Sequence, residues 1–409
     1  MSNGVFMSQQ LTKVLPACAL LGLAGCKSMP AGPSSQNGLD RRVQDMVARM
    51  TLEEKIGQVL LPALRRFNDG EVRELSTEME KTLRECHPAG VIFFKNCFLD
   101  ASQTRSLTQA VRAATISPSG LPPFLGVDQE GGRVVRIFFL PATPTMREIG
   151  ESGDPARCEA VAGGIAKELA GLGLNTNFAP VLDVNSNPRN PVIGDRAFGN
   201  DPKIVGTMGT AYIAATRSNG VIPVGKHFPG HGDTSTDSHE QLPVVALTEK
   251  EIRDIHLAPF RQAIGHGLGM IMTAHVHVPA LDATRLKAPK TGAEIGIPAT
   301  LSHRILTGIL RDEMHFTGVV TTDAMDMKAI ADNFGEAEGA ILALNAGADL
   351  ILMPAFIAPP ADAHADFASI HRRLVAAAKA GEIPATRLNE AVARIVRLKL
   401  SALIQPQVP

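Results

Sequence analysis

The chain has 409 residues, of which 44% are hydrophobic, 20% charged and 4% aromatic, and its formal net charge is −1. Nucleic-acid binders usually carry a basic excess, so this balance argues against that class, and the apolar content excludes a wholly disordered chain. The sequence contains no Trp, which excludes a binding site walled by Trp, and its 5 Cys are too few for a disulfide-held fold of this length.

The N-terminal segment is expected to be a secretion signal rather than part of the fold. The apolar run 14–23 follows Lys13, the only cation ahead of it. This run is too short to span a bilayer but has the length of a signal-peptide core. It leads into Leu23-Ala24-Gly25-Cys26, which resembles the bacterial lipobox, where cleavage exposes a Cys that is then lipidated. An ordinary signal-peptide cleavage site is the alternative.

We therefore predict a signal peptide over residues 1–25, a lipid on Cys26 and a flexible tether over residues 26–38, which are rich in Pro, Gly and Ser. The membrane would be a partner of the protein through this lipid. The protein would be lipid-anchored on the cell envelope, outside the inner membrane and on the periplasmic face in a Gram-negative cell.

From residue 39 onward, short apolar runs alternate with segments of helical periodicity. Thr51-Leu52-Glu53-Glu54 forms the pattern of a capping box and predicts the start of a helix. The predicted strands are 90–94, 124–127, 177–181, 220–224, 270–273, 319–322 and 349–353, and the predicted helices include 155–172, 203–218, 248–264 and 334–346.

Continuous apolar strands that alternate with helices are typical of a parallel sheet buried on both faces. Seven or eight such units favour an α/β fold with a single (β/α)8 TIM-type barrel over residues 39–409 and no second domain. A doubly wound open sheet is the alternative. A last helix around Leu388 and Leu398 is expected to close the bottom of the barrel. Cys86, Cys97 and Cys158 are expected to be buried free thiols, with a Cys86–Cys97 disulfide as the alternative.

Ionisable residues directly follow the predicted strands. They include Asp128, Asp183, the segment 226–239, the pair His275 and His277, and Asp323. In a β/α barrel the C-terminal strand ends and the loops after them carry the chemistry. These groups are therefore expected to converge on one rim.

The segment KHFPGHGDTSTDSH (226–239) is the densest of these. A solvated polar loop is one interpretation. A metal site is a second, because His227, His231, Asp233, Asp237 and His239 are all suitable ligands. An Asp–His dyad is the third. Asp237 and His239 are two residues apart in a non-helical loop, so the carboxylate could orient an imidazole that transfers a proton near neutral pH.

This segment resembles the signature of the glycoside hydrolase family 3 β-N-acetylglucosaminidases (NagZ-like enzymes). Four other segments are similar to that family in the same order: VDQEGGRVVR (127–136), NFAPVLDVNSNPRNPVIGDRAFG (177–199), MIMTAHVHVPALD (270–282) and GVVTTDAMDMKAI (318–330). The resemblance covers essentially residues 39–400. It favours the dyad over the metal site.

The resemblance implies three catalytic residues. Asp323 matches the family's nucleophile, although by itself it could be the N-cap of a following helix. His239 matches the acid/base, and Asp237 is its partner. His231 and Asp233 belong to the same motif but are expected to shape the loop rather than react.

The resemblance also implies a sugar pocket. Lys226 and His227 match residues that hold sugar hydroxyls, and Asp128, Arg136 and Arg196 match further residues of the pocket for the non-reducing sugar. Rim salt bridges are the alternative role for the two arginines. His275 and His277 are interpreted as lining the site. No metal and no other cofactor is expected.

The implied activity is that of a retaining β-N-acetylhexosaminidase. It would remove terminal non-reducing β-linked N-acetylglucosamine from peptidoglycan fragments or chitin-type oligosaccharides, by double displacement through a covalent glycosyl-enzyme. The alternatives are a family 3 β-glucosidase, whose typical second domain and Trp this sequence lacks, and an inactive anchored lipoprotein that binds muropeptides. A monomer that binds an amino-sugar oligosaccharide or muropeptide, and no nucleic acid, is expected.

Overall fold

The computed structural model describes residues 33–65, 70–237, 242–357 and 367–404. Eight parallel strands of this part form a barrel, which a parallel bridge between Thr321 and Leu350 closes. The barrel strands are β1 (Leu60–Leu64), β2 (Gly90–Phe93), β3 (Phe124–Val127), β4 (Thr176–Asn177), β5 (Ile222–Phe228), β6 (Met270–Thr273), β9 (Val319–Thr321) and β10 (Ile351–Ile357). A separate antiparallel hairpin consists of β7 (Arg285–Lys287) and β8 (Glu294–Gly296). The predicted TIM-type barrel is confirmed, and the open-sheet alternative is wrong.

Helices surround the barrel. They are α1 (Pro33–Arg49), α2 (Leu52–Gln58), α3 (Thr77–Cys86), α4 (Ala101–Thr115), α5 (Met146–Glu151), α6 (Pro155–Gly171), α7 (Pro202–Ser218), α8 (Glu249–Glu251), α9 (Leu257–Gly265), α10 (Lys328–Ala331), α11 (Glu336–Ala346), α12 (Phe367–Lys379) and α13 (Ala385–Ala402). Short 3-10 turns lie at Lys95–Cys97, Gly194–Arg196 and Ala299–Leu301, and π-helical segments at Ile252–His256 and Arg304–Glu313.

The strand order explains the sequence pattern. Around the barrel the order is β10-β1-β2-β3-β4-β5-β6-β9, so chain neighbours are mostly sheet neighbours. Almost every residue of these strands is buried, as expected where helices cover one face and the barrel interior the other. The continuous apolar runs are therefore the strands themselves.

The structure differs from two predictions near the N-terminus, the capping box at Thr51 and the end of the tether. Thr51 is the N-cap of α2 and accepts the Glu54 N–H at 3.1 Å, but the Glu54 carboxylate accepts the Ser119 N–H at 3.1 Å instead of completing the capping box. Residues 33–38, expected in the tether, form the first turns of α1.

The helix α13 closes the N-terminal end of the barrel, as predicted. Its buried Lys399 donates to Oε1 of Gln58 at 2.7 Å and lies 5.0 Å from the ring centre of Phe124, the first residue of β3. Its Arg397 pairs with Asp40 of α1, so α1 lies at the same end of the barrel. The opposite end is left open by both helices.

The three cysteines of the described residues, Cys86, Cys97 and Cys158, are buried free thiols, so the disulfide alternative is wrong. Burial raises the pKa of Cys97 and of Cys158 to about 12, which keeps both thiols protonated. No helix of the described ranges is long and apolar enough to cross a membrane.

Candidate active site

A cavity of about 410 Å³ lies at the C-terminal ends of the barrel strands. Its lining includes Arg65, Phe94, Asp128, Glu130, Arg136, Arg196, Lys226, His227, His231, Asp323, Asp326 and Lys328, together with apolar side chains such as Ile92, Met272, Leu352 and Met353. This is the end of a β/α barrel at which chemistry is expected.

The structure brings together the sequence-predicted binding residues and the predicted nucleophile. Asp128, Arg136, Arg196, Lys226, His227 and Asp323 all line this cavity. Asp237 is half-buried in the loop after β5 and is not among the residues that line the described cavity. His239 lies outside the described residues, and so does Cys26.

Lys226 is the centre of a buried ionic cluster. Its Nζ lies 2.8 Å from Oδ1 of Asp128 and 2.6 Å from Oε1 of Glu130. Arg196 donates Nε and Nη2 to the two oxygens of Glu130 at 2.9 and 2.8 Å. Burial alone would raise the pKa of Glu130, but Arg196 and Lys226 hold it well below its ordinary range. Glu130 and its two cationic partners, Arg196 and Lys226, therefore stay charged.

The register of β5 allows Lys226 and His227 to serve the same cavity. Side chains of consecutive strand residues normally point to opposite faces. Here the pairing of β5 with β6 shifts between Gly225 and Phe228, which breaks the alternation. Both side chains line the cavity as a result.

Asp183 holds the imidazole of His227. Its Oδ2 lies 2.6 Å from Nδ1 of His227, and its Oδ1 accepts the His231 N–H at 2.6 Å. Asp183 is fully buried, and burial would raise its pKa, but His227 and His231 lower it. Because Nδ1 of His227 is engaged by the carboxylate, the other ring nitrogen is the one left for a ligand.

Asp323 lies just beyond β9 with an ionised carboxylate. Its Oδ1 accepts the Ala324 N–H at 2.7 Å. Burial would raise the pKa of Asp323, yet His227 and His275 lower it, with help from the Ala324 N–H and Lys226. His275 is fully buried behind the cavity and donates Nε2 to the Ala324 carbonyl at 3.0 Å. It therefore supports the segment that carries Asp323.

In the described chain, the remaining histidines of the motifs hydrogen-bond to the loops around the site, and His231 also lines the cavity. Burial lowers the pKa of His231 to about 4, so its ring is neutral, and its Nδ1 lies 2.8 Å from Oγ1 of Thr234. Asp233 accepts from the Ser186 hydroxyl at 2.9 Å and so shapes the loop, as expected. His277 donates to the Ile297 carbonyl at 3.1 Å, next to the β7–β8 hairpin. Neither His277 nor His275 is among the residues that line the described cavity.

The sequence analysis gave no role to several site residues, among them Glu130, Asp183 and Arg65. Glu130 and Asp183 lie just after predicted strands, which is the signal that could have identified them, but their partners, Arg196 and His227, are distant in sequence. Arg65 follows β1, a strand that the sequence analysis did not predict. Its guanidinium lies 5.3 Å from the ring centre of Phe94 and 5.4 Å from that of Phe356.

The glycines that follow Asp128 form a tight turn. Gly131 and Gly132 have φ values of 104° and 53°, which favour glycine. A Cβ on Gly132 would lie 2.5 Å from the Thr145 side chain. Among the described side chains no group of three or more His, Cys, Asp or Glu could hold a metal ion; His239, one of the suggested ligands, is outside that set.

A closed β/α barrel whose mouth holds an ionised carboxylate beside a rigid cluster of cations and imidazoles belongs to the class of barrel enzymes. Residues 51–398 match the glycosyl hydrolase family 3 N terminal domain. The chain is a member of glycosyl hydrolase family 3.

Individual relatives agree with this assignment. Beta-hexosaminidase A of Pseudoalteromonas piscicida is 38% identical over 368 residues, which are 86% of this chain and 61% of that protein. The structure of a family 3 beta-N-acetylglucosaminidase from Paenibacillus sp. FPU-7 aligns with a TM-score of 0.74 at 34% identity, over 86% of this chain and 63% of that one. Zinc-bound CbsA from Thermotoga neapolitana aligns with a TM-score of 0.71 at 28% identity, over 86% and 68%. The chain thus spans less than two thirds of the first two relatives.

Proposed function

We propose that this chain is a retaining β-N-acetylhexosaminidase that removes terminal non-reducing N-acetylglucosamine from peptidoglycan fragments or chitin-type oligosaccharides. The observation that carries the proposal is the cavity in which Asp323 faces the Lys226–Glu130–Arg196 cluster. The names of two relatives, a beta-hexosaminidase and a beta-N-acetylglucosaminidase, support the same substrate class.

Asp323 would be the nucleophile. A retaining glycosidase needs an ionised carboxylate at the anomeric carbon. The neighbouring imidazoles, the Ala324 N–H and Lys226 lower the pKa of Asp323 against the effect of burial, so the carboxylate is charged at neutral pH. Attack by one oxygen would form the glycosyl ester and release the aglycone, and water would then cleave the ester.

The ionic cluster would hold the hydroxyls of the non-reducing sugar. Asp128 and Glu130 fix the Nζ of Lys226, and Asp183 fixes the ring of His227. Groups that are already oriented lose little entropy when a sugar hydroxyl binds. Such a pocket stabilises one sugar in one orientation relative to Asp323.

His239, oriented by Asp237, would be the acid/base. It would protonate the departing oxygen in the first step and take a proton from water in the second. The support is the motif and the position of its loop: Asp237 ends the described part of the loop that follows Lys226 and His227.

The direct test uses 4-nitrophenyl β-N-acetylglucosaminide and, beside it, the matching glucoside. We expect rapid release of nitrophenol from the first only, and an NMR spectrum taken before mutarotation in which the sugar product keeps the β configuration. Turnover of the glucoside alone would favour the β-glucosidase alternative. Binding of muropeptides without turnover of either substrate would favour the inactive receptor.

We also propose that the chain is a lipoprotein anchored through Cys26. The lipobox-like sequence supports this proposal, and so does the position of α1 beside α13, at the end of the barrel opposite the cavity. An anchor there would leave the cavity facing away from the membrane. The Cys26→Ser variant should stay active but leave the membrane fraction, whereas a variant that still sediments with membranes would contradict the anchor.

A further inference from the structure

The loop after β4 (residues 183–199, the β4 loop) lies directly against the loop after β5 (the β5 loop, described over residues 229–237). The Asn187 N–H donates to the Gly232 carbonyl at 3.2 Å. A Cβ on Gly232 would collide with the carbonyl oxygen of Val184, so a larger residue would push the two loops apart. The backbones of the two loops are therefore in contact at this point.

Asn190 joins the two loops through its side chain. It is 7% exposed, and its Oδ1 accepts the N–H groups of Val192 and Ile193 at 2.9 and 2.8 Å, within the β4 loop. Its Nδ2 donates to the His231 carbonyl at 2.8 Å and to Oγ1 of Thr234 at 3.2 Å, in the β5 loop. Both amide protons and both lone pairs of the carbonyl oxygen are therefore used.

Two more side chains of the β4 loop bind the same stretch of the β5 loop. The Nδ2 of Asn187 donates to the carbonyls of Asp233 and Thr234 at 3.4 and 3.2 Å. The Ser186 hydroxyl donates to Oδ1 of Asp233 at 2.9 Å. None of Ser186, Asn187 and Asn190 is among the residues that line the described cavity. These hydrogen bonds therefore hold the β5 loop and are not directed at a bound sugar.

The β4 loop also holds the groups of the sugar pocket. Asp183, its first residue, fixes the ring of His227, and Arg196 pairs with Glu130 in the ionic cluster. Asp237 ends the described part of the β5 loop, just after the stretch that these side chains hold. One loop thus connects the proposed hydroxyl-binding groups to the loop of the proposed acid/base pair. An error of about 1 Å in such a relative position can lower a rate by about a hundredfold.

We infer that Asn190 is a positioning residue for acid/base catalysis, assisted by Asn187. The inference rests on the proposed function, in which His239 and Asp237 transfer the proton. By holding the β5 loop, Asn190 would set where this pair stands relative to the glycosidic oxygen of a sugar in the pocket. It would affect proton transfer to the leaving group, and not the attack by Asp323 or the binding of sugar hydroxyls.

The variant Asn190→Asp tests this inference because the new side chain has the same shape. Its oxygens can still accept the N–H groups within the β4 loop, but it cannot donate to the β5 loop. The measured quantity is kcat/KM for N,N′-diacetylchitobiose divided by kcat/KM for 4-nitrophenyl β-N-acetylglucosaminide. Nitrophenolate departs with little help from a proton, whereas a sugar alcohol needs one, so this ratio reports proton transfer. We expect the ratio to fall by roughly ten- to a hundredfold, less than in His239→Ala.

Two further variants accompany this measurement. Asn187→Ala should lower the ratio by a smaller factor, and it tests the inference separately if Asn190→Asp does not fold. Asn219→Asp is the matched control. The Nδ2 of Asn219 likewise donates to a carbonyl, that of Ala215 at 2.8 Å, but it lies after α7 and before β5, at the opposite end of the barrel. Its ratio should equal that of the wild type.

The double variant of Asn190→Asp and His239→Ala separates positioning from a purely structural role. If Asn190 acts through the acid/base, the double variant should have the ratio of His239→Ala alone. A full second loss would overturn the inference and leave the proposed function intact. So would an unchanged ratio in Asn190→Asp, or in Asn187→Ala if only that variant folds. If His239→Ala itself leaves the ratio unchanged, the proposed acid/base assignment is wrong, and the inference falls with it.

Discussion

Glu130 accepts hydrogen bonds from Arg196 and forms an ion pair with Lys226. Only 2% of its side chain is exposed. A neutral replacement of the same shape would leave two buried cations with one less anion. Removing one partner of a buried ion pair typically costs about 3–5 kcal/mol. Replacing Glu130 by a neutral residue should therefore lower the free energy of unfolding as well as the catalytic rate.

We predict that Glu130→Gln lowers the free energy of unfolding by about 3 kcal/mol and kcat/KM by at least about tenfold, since Lys226 and Arg196 lose their common anchor. Urea unfolding and assay of an aryl substrate measure the two effects. Asp195→Asn is the control, because it removes one partner of the exposed Arg133–Asp195 pair. Equal, small changes in both variants would mean that the cluster has no special role.

Asp323 and His239 should fail in different ways. Asp323→Ala should nearly abolish turnover of every substrate, because the nucleophile is needed whatever leaves. His239→Ala should lose little turnover of a nitrophenyl substrate, because nitrophenolate departs with little help from a proton. With a disaccharide the same variant should lose roughly 10²–10⁴-fold in turnover. A burst of nitrophenol followed by slow turnover should appear in His239→Ala, and Asp237→Asn should give a weaker form of this defect. A His239→Ala defect of equal size on both substrates would exclude His239 as the acid/base.

At the scale of the elements, the sequence predicts most of the barrel because its strands are continuous apolar runs. It does not predict β1, since Ile56, Val59 and Leu60 continue the helical spacing of α2 into the strand. Because Arg65 directly follows β1, the sequence does not predict its position on the cavity wall either. The β7–β8 hairpin is half exposed and has no apolar run to mark it.

The candidate site also has residues that the sequence predicts and partnerships that it does not. Asp323, Lys226 and Asp128 are predicted because strand ends in a barrel converge and because the motifs are in register with the family. The partnerships of Glu130 with Arg196 and of Asp183 with His227 join residues 66 and 44 positions apart. Such pairs depend on the three-dimensional path of the chain, so spacing alone does not predict them.

The contact between α13 and the barrel should depend on pH. Burial lowers the pKa of Lys399 to about 7, despite the opposing effect of Glu54. Between about pH 7 and the ordinary lysine pKa of 10.5, the unfolded chain binds a proton here that the folded chain does not. The free energy of unfolding should therefore rise with pH through this window, and below it the cost of the buried amine is complete.

Lys399→Met removes that titration. The variant should gain stability over the wild type near pH 7, by up to roughly 4 kcal/mol, and lose the advantage as pH approaches 10. Denaturant unfolding at several pH values measures the difference. Lys81→Met, on an exposed face of α3 with 72% of the lysine side chain accessible, should change stability equally at all pH values. Parallel curves for Lys399→Met and wild type would show that Lys399 does not titrate in this window.

At the scale of the whole molecule, the proposed mechanism uses side chains alone, without a divalent ion. We predict that dialysis against a strong chelator leaves kcat/KM unchanged, because the proposed acid/base pair, Asp237 and His239, would transfer the proton without a metal ion. A relative of known structure binds zinc, so added Zn²⁺ is the informative second arm. Activity that falls on chelation and returns with Zn²⁺ would restore the metal interpretation of residues 226–239.

The central claim is that Asp323, in the barrel mouth, forms a covalent ester with N-acetylglucosamine. The most direct measurement is peptide mass spectrometry after incubation with a 5-fluoro glycosyl fluoride of N-acetylglucosamine, whose fluorine slows hydrolysis of the ester. We expect one sugar adduct per chain, on the peptide that contains Asp323, and no adduct in Asp323→Ala. Steady turnover of the aryl substrate with no adduct on that peptide, or with the adduct on another carboxylate, would contradict it.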